Sequence, residues 1–102
     1  MFTVRTLPQF DAWLDGLTDA TVQRRLVLRL RRATLGNLGD VRSVGDGVWE
    51  MREHFGAGWR MYYVRRGRQL VLMVGGGDKS TQGRDIRTAQ QRAKLVIEDG
   101  RS

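Results

Sequence analysis

The chain predicts an α+β domain, on three observations. Apolar residues recur at helical spacing from Phe10 to Ala33. Strand-like alternation punctuated by glycines fills Val41 to Gly75. Helical spacing then returns from Ile86 to Ile97. The expected order is β, α, α, β, β, β, β, α: two leading helices forming a hairpin on one sheet face, a four- to five-stranded antiparallel or mixed sheet, and a closing helix. At 102 residues there is chain for one core, so a single domain over 1–102 is expected.

Phe2 to Thr6 is a short β-branched and aromatic run, which suits a strand. Pro8 fits the first turn of a helix, where its missing N–H costs nothing. Phe10, Trp13, Leu14 and Leu17 then share one helix face, and Gly16 weakens or ends it. Thr18 is a good N-cap for a second helix, with Asp19 in its first turn. Val22, Leu26, Leu30 and Ala33 make its stripe, arginines crowd the remainder, and Gly36 is a natural left-handed stop.

Asn37 to Asp40 is turn material, and Val41 to Val44 suits a short strand. Gly45-Asp46-Gly47 supplies the positive φ of a tight turn. From Val48 to Phe55 the pattern alternates: Trp49, Met51 and Phe55 point one way, Glu50, Arg52 and His54 the other. Gly56-Ala57-Gly58 is a further turn. Trp59 to Arg66 and Gln69 to Gly75 flank Gly67 as a hairpin, and Leu-Val-Leu-Met-Val in the second arm is apolar on both faces, as a central strand is. Gly75-Gly76-Gly77 is poor strand material and suits close approach of backbone to a ligand. Ser80 or Thr81 caps the last helix, whose stripe is Ile86, Ala89, Ala93 and Val96 or Ile97, with Gly100 past its end.

Composition narrows the function. There is no cysteine and one histidine, so disulfides, thiolate chemistry, Cys₂His₂ zinc and multi-histidine metal clusters are excluded, and no cofactor is expected. No apolar run approaches the ~20 residues of a membrane span, and the first ten residues lack a signal-peptide layout, so a cytoplasmic protein is expected. Lys and Arg number 18 against 11 Asp and Glu, a formal +7. All the cations but Lys79 and Lys94 are arginine, which grips phosphates through paired hydrogen bonds. A polyanion, an acidic protein partner and plain solubility all fit that charge.

The segments GDVRSVGDGVWEMR, GWRMYYVRRG and GGGDKSTQGRDI, with the βααββββα order, resemble the RelE/ParE superfamily of type II toxins, and within it the phage Gp49-like, HigB-related addiction-module killer proteins. The resemblance runs from Asp11 to Ala93. It implies a RelE-like fold and a ribosome-dependent messenger RNA endonuclease held inactive by a cognate antitoxin, in this branch usually a helix-turn-helix DNA-binding protein. The same superfamily holds inhibitors of DNA gyrase, so a gyrase-directed inhibitor and a catalytically silent RNA-binding domain remain alternatives.

Metal-free RNA cleavage needs a base for the 2′-OH, cations for the phosphorane and an acid for the leaving 5′-oxygen. Arg60 matches the arginine that the family carries on this strand, and phosphate stabilisation is its expected role. Lys79, at a strand exit before a helix, is expected to contact phosphate and move protons; the plainer reading is a loop lysine paired with Asp78. Arg52 and His54 share a strand face and are expected to assist, His54 through its titration near neutrality. Arg84, in the first turn of the last helix, reaches for the same pocket or pairs with Asp85. Several members place an aromatic ring near the start of that helix; here stand Ser80, Thr81, Gln82 and Gly83, and Tyr62, of Arg60's parity, is the ring available to stack on a base. Arg25, Arg29 and Arg32 on the second helix are expected to lie against RNA, with solvent and an acidic antitoxin as the other readings.

Overall fold

The computed structural model describes residues 1–68 and 70–99, without the side chains of 97–99. Gln69, the side chain of Ile97 and Gly100, each given a place above, lie outside the described residues. The elements are β1 (Thr3–Thr6), α1 (Pro8–Asp15), α2 (Ala20–Thr34), β2 (Val41–Gly45), β3 (Val48–Arg52), β4 (Trp59–Arg66), β5 (Leu70–Asp78), a 3₁₀ turn (Lys79–Thr81) and α3 (Gln82–Asp99). Five strands form one mixed sheet in the order β1-β5-β4-β3-β2, with β1 parallel to β5 and the other pairs antiparallel. The architecture is α+β, in the expected element order.

Local chemistry explains most boundaries. Pro8 opens α1 and Gly16 closes it. Asp19, not Thr18, caps α2: its carboxylate accepts the N–H groups of Thr21 and Val22. At the other end Gly36 adopts φ 97°, and the N–H groups of Gly36 and Asn37 return to the carbonyls of Ala33 and Arg32, a Schellman stop. Asp78 caps the 3₁₀ turn through Ser80, and Thr81 donates its hydroxyl to Asp85 Oδ2 at 2.5 Å.

Strand parity divides the sheet into two faces. Met51, Met61, Tyr63, Val71 and Met73 meet Phe10 and Leu14 of α1 and Val22, Leu26 and Ala33 of α2. Val48, Tyr62, Val64 and Val74 meet Ala89 and Ala93 of α3. Strand β5 therefore has helices on both faces, which is why its apolar run does not alternate.

The glycine run is ladder, not ligand cradle. Gly75, Gly76 and Gly77 pair with Tyr62, Met61 and Arg60 of β4. A Cβ at Gly76 would lie 2.4 Å from the Trp13 ring, and one at Gly77 would lie 2.0 Å from Asp85 Oδ2 on the other face. The missing side chains admit the protein's own Trp13 and Asp85. Gly76→Ala is expected to lower stability by about 1–3 kcal/mol, because the added Cβ overlaps the Trp13 ring and forces it to shift against Phe10 and Trp59, whose ring centroids lie 5.6 and 6.4 Å from it. A denaturation midpoint unchanged from the parent would contradict this.

Candidate functional site

One cross-strand row organises the site. Arg52 of β3 pairs with Arg60 of β4, which pairs with Gly77 of β5. The row lies at the sheet end where the β3–β4 loop, the 3₁₀ turn and the start of α3 come together. Lys79 donates its backbone N–H to Ala57 of that loop, and its stem crosses Gly58, where a Cβ would approach to 2.7 Å. Arg52, Arg60 and Lys79 thus share one end of the sheet, and His54, expected on the strand, lies just past the end of β3, where the chain has left the ladder and its ring turns to Asp40.

Behind the row lies Glu50, fully buried. Arg42 Nε donates to its Oε1 at 2.9 Å and Gln82 Nε2 to its Oε2 at 2.8 Å, while Arg60 Nε stands 4.0 Å off. Gln82 is the first residue of α3, so this carboxylate ties α3 to the sheet beside the site. Sequence reading placed Glu50 on the right face and gave it no task. The signal available was a carboxylate alternating with apolar residues in a strand otherwise buried.

Arg60 is buried, with 5% of its surface exposed, not a solvent-facing cation. Its Nη1 donates to the carbonyls of Glu53 and Trp59, Nε has no acceptor, and Nη2 makes no hydrogen bond among the described residues yet is not sealed from solvent. Tyr62, one step along the same face, is also fully buried. Stacking on a base would need its cover to move. Burial, then the charge of Glu50, raises its hydroxyl well above the usual tyrosine range, so it remains a donor. It too lacks an acceptor, as does the buried Nε of Arg52.

The outer groups are placed by Asp40. Its Oδ1 accepts Arg52 Nη2 at 3.0 Å and its Oδ2 lies 2.6 Å from His54 Nε2. The bonds from His54 and from Arg52 hold its carboxyl at about 2. Lys79 and Arg84 are exposed. Asp78 is engaged by Ser80, and no ion pair joins it to Lys79 among the described residues. Arg84 Nε stands 4.0 Å from Asp85 Oδ1.

The arginine-rich helix splits. Arg25 is exposed, its guanidinium 3.8 Å over the Phe55 ring, and Arg32 is exposed beside it, both bordering a shallow hollow with Leu28 and Glu53. Arg29 departs from the expected RNA-facing position. It is 6% exposed, and its guanidinium donates to the carbonyls of Leu38, Asp40 and Arg52 and to Glu53 Oε1 at 2.8 Å. Gly39, with φ 72°, leaves room for it: a Cβ there would sit 2.9 Å from the guanidinium. The physical reason lies in the spacing 22, 26, 29, 33, the 4-3-4 rhythm of a buried stripe, on which Arg29 falls and Arg25 and Arg32 do not.

Two outcomes follow. Arg29→Met should cost about 3 kcal/mol or more, since it strips three carbonyls and a carboxylate of their donor, whereas Arg32→Met should change stability by under about 0.5 kcal/mol; equal losses in chemical denaturation would refute the division. Asp40 is more acidic folded than unfolded, so it contributes stability above pH about 4 that disappears as pH falls through about 2. Asp78, also lowered by its Ser80 bonds, adds to the same acid limb. Asp40→Asn should flatten that limb in part; an unaltered acid profile would contradict the geometry.

Comparison with known proteins places the chain. The family described as "Phage derived protein Gp49-like (DUF891)" matches residues 12–94. A protein of Haemophilus influenzae, named only "Uncharacterized protein", is 39% identical over 87 residues, covering 85% of this chain and 88% of that one. No solved structure matches. The matched span takes in the sheet row, the Asp40 corner, the 3₁₀ turn and the first part of α3, and the chain belongs to the phage-derived Gp49-like family, a RelE/HigB-like family associated with the toxins of toxin–antitoxin systems.

Proposed function

We propose that this protein is the toxin of a type II toxin–antitoxin pair, with a RelE-like fold, and that it cleaves messenger RNA on the ribosome. The observation that carries the reading is the convergence of Arg52, His54, Arg60 and Lys79 at one end of the sheet, with the Arg60 Nη2 unbonded among the described residues and open to solvent. Arg52 and Arg60 pair across adjacent strands, and the exposed Lys79 and His54 stand at the same sheet end. The oxygens of a phosphodiester carry the negative charge and the acceptor pairs that suit two neighbouring guanidinium groups.

In this reading Arg60 and Arg52 stabilise the phosphorane. His54 takes the proton of the 2′-OH as O2′ bonds to phosphorus, and Lys79 protonates the 5′-oxygen as the P–O5′ bond breaks, leaving a cyclic phosphate and a 5′-hydroxyl. The described residues gather no group of three His, Asp or Glu side chains suited to a metal, so positive charge at the site falls to arginine and lysine. Arg84, Arg25 and Arg32 extend it outward for RNA backbone, with a salt-dependent grip. A toxin of this class has an antitoxin partner in general. The further proposal is a helix-turn-helix DNA-binding antitoxin that covers this cationic end with acidic groups.

The test is induction of the protein in a bacterium beside Lys79→Ala and Arg60→Lys, with transcript 5′ ends mapped and folding checked by circular dichroism. New ends inside translated frames are expected, falling about a hundredfold in either variant. Growth arrest with intact transcripts would turn the proposal toward gyrase. Full cleavage by both variants would refute the site.

A further inference from the structure

Asp40 has no part in the cleavage step proposed above, and its surroundings are unusually complete. It lies in the turn before β2, and its carbonyl accepts Arg29 Nη2 at 2.8 Å and the Arg52 N–H at 3.0 Å. The buried Arg29 thus anchors the Asp40 backbone from inside the core. Outside, its carboxylate divides between two members of the site: Arg52 Nη2 at 3.0 Å on Oδ1 and His54 Nε2 at 2.6 Å on Oδ2. A carboxylate held as acidic as this one is ionised at neutral pH and can only accept. The proton in the short contact therefore belongs to His54 Nε2. In a neutral ring the lone pair then lies on Nδ1, the nitrogen not engaged with Asp40.

We propose that Asp40 is a positioning residue: it holds His54 in the Nε2–H tautomer with Nδ1 as the proton acceptor, and aims Arg52 with its other oxygen. What Nδ1 does rests on the RNA-cleavage reading; the tautomer does not. In the cleavage step Nδ1 takes the 2′-OH proton as the new O2′–P bond forms, the leaving 5′-oxygen receives its proton from Lys79, and the Nδ1 proton is later returned to water. Asp40 remains ionised throughout and stabilises the imidazolium that forms.

The single histidine of the chain makes the test direct. In ¹⁵N-labelled protein in mildly alkaline buffer, His54 should show a pyrrole-type Nε2 and a pyridine-type Nδ1. Its Nε2–H should exchange with water at least about tenfold more slowly than in Asp40→Ala, the factor expected of a hydrogen bond to a charged group. A pyrrole-type Nδ1, or equal exchange in Asp40→Ala and parent, overturns the proposal. On ribosomes programmed with a defined message, Asp40→Ala and Asp40→Asn should lower kcat with KM held. In a His54→Ala background the same change should lose most of its effect, since the two residues act as a unit. An undiminished cost in that background overturns the positioning role. The expected ring spectrum in a protein that cleaves no RNA supports the tautomer and overturns the nuclease reading alone.

Discussion

The Glu50 carboxylate, without any exposure, is the constraint on which this end of the molecule depends. A buried charge costs several kcal/mol unless cations and donors meet it. Here Arg42 from β2 and Gln82 from α3 hydrogen-bond to it, and Arg60 from β4 stands close by. That demand brings an edge strand, a central strand and the start of the last helix to one point. It also explains why Arg60 is buried on the sheet and not splayed into solvent. Removing the carboxylate would leave the Arg60 guanidinium without its nearest countercharge and release Gln82, at the start of α3, from the sheet, while Gln90, Arg92 and the apolar stripe still hold the rest of the helix.

Arg29 does on the other side what Glu50 does on this one. It crosses from α2 to the carbonyls of Leu38, Asp40 and Arg52, and so holds the turn before β2 against the end of β3. Asp40 passes that rigidity outward to Arg52 and His54. Core packing and site geometry are therefore one network: a buried cation fixes a backbone corner, and the corner fixes the exposed groups. Lys79 and Arg84 lie outside it, exposed on a turn and a helix start.

Much of the fold was legible from the sequence because its signals are local. Pro8, Gly36 and Gly67 mark turns and ends through φ alone, and the alternation of β3 sorts Trp49 and Met51 from Glu50 and Arg52 without any knowledge of partners. The site was legible only in outline. Arg52 and His54 could be assigned to one strand face and Arg60 to the next strand, but nothing local says that α3 comes to lie over Tyr62. Burial is a property of what lies above a residue, and what lies above is brought there by the chain's return some twenty residues later. Asp40 was invisible for the same reason: in a turn of Asn, Leu, Gly and Asp, a carboxylate looks like solvent material until β3 is laid beside it.

The sequence by itself determined the element order, the two apolar faces of the sheet and the concentration of cation in a small chain, because periodicity, turn stereochemistry and formal charge need no tertiary partner. Tertiary structure decided which charges face solvent and which are struts. Arg25, Arg29 and Arg32 stand within eight residues on one helix, yet two face solvent and one is locked in the core. The three glycines before Asp78 read as an opening for a ligand and serve as clearance for Trp13 and Asp85. In each case the deciding quantity is the volume and polarity left by neighbours distant in the chain, and that quantity exists only once the chain has folded.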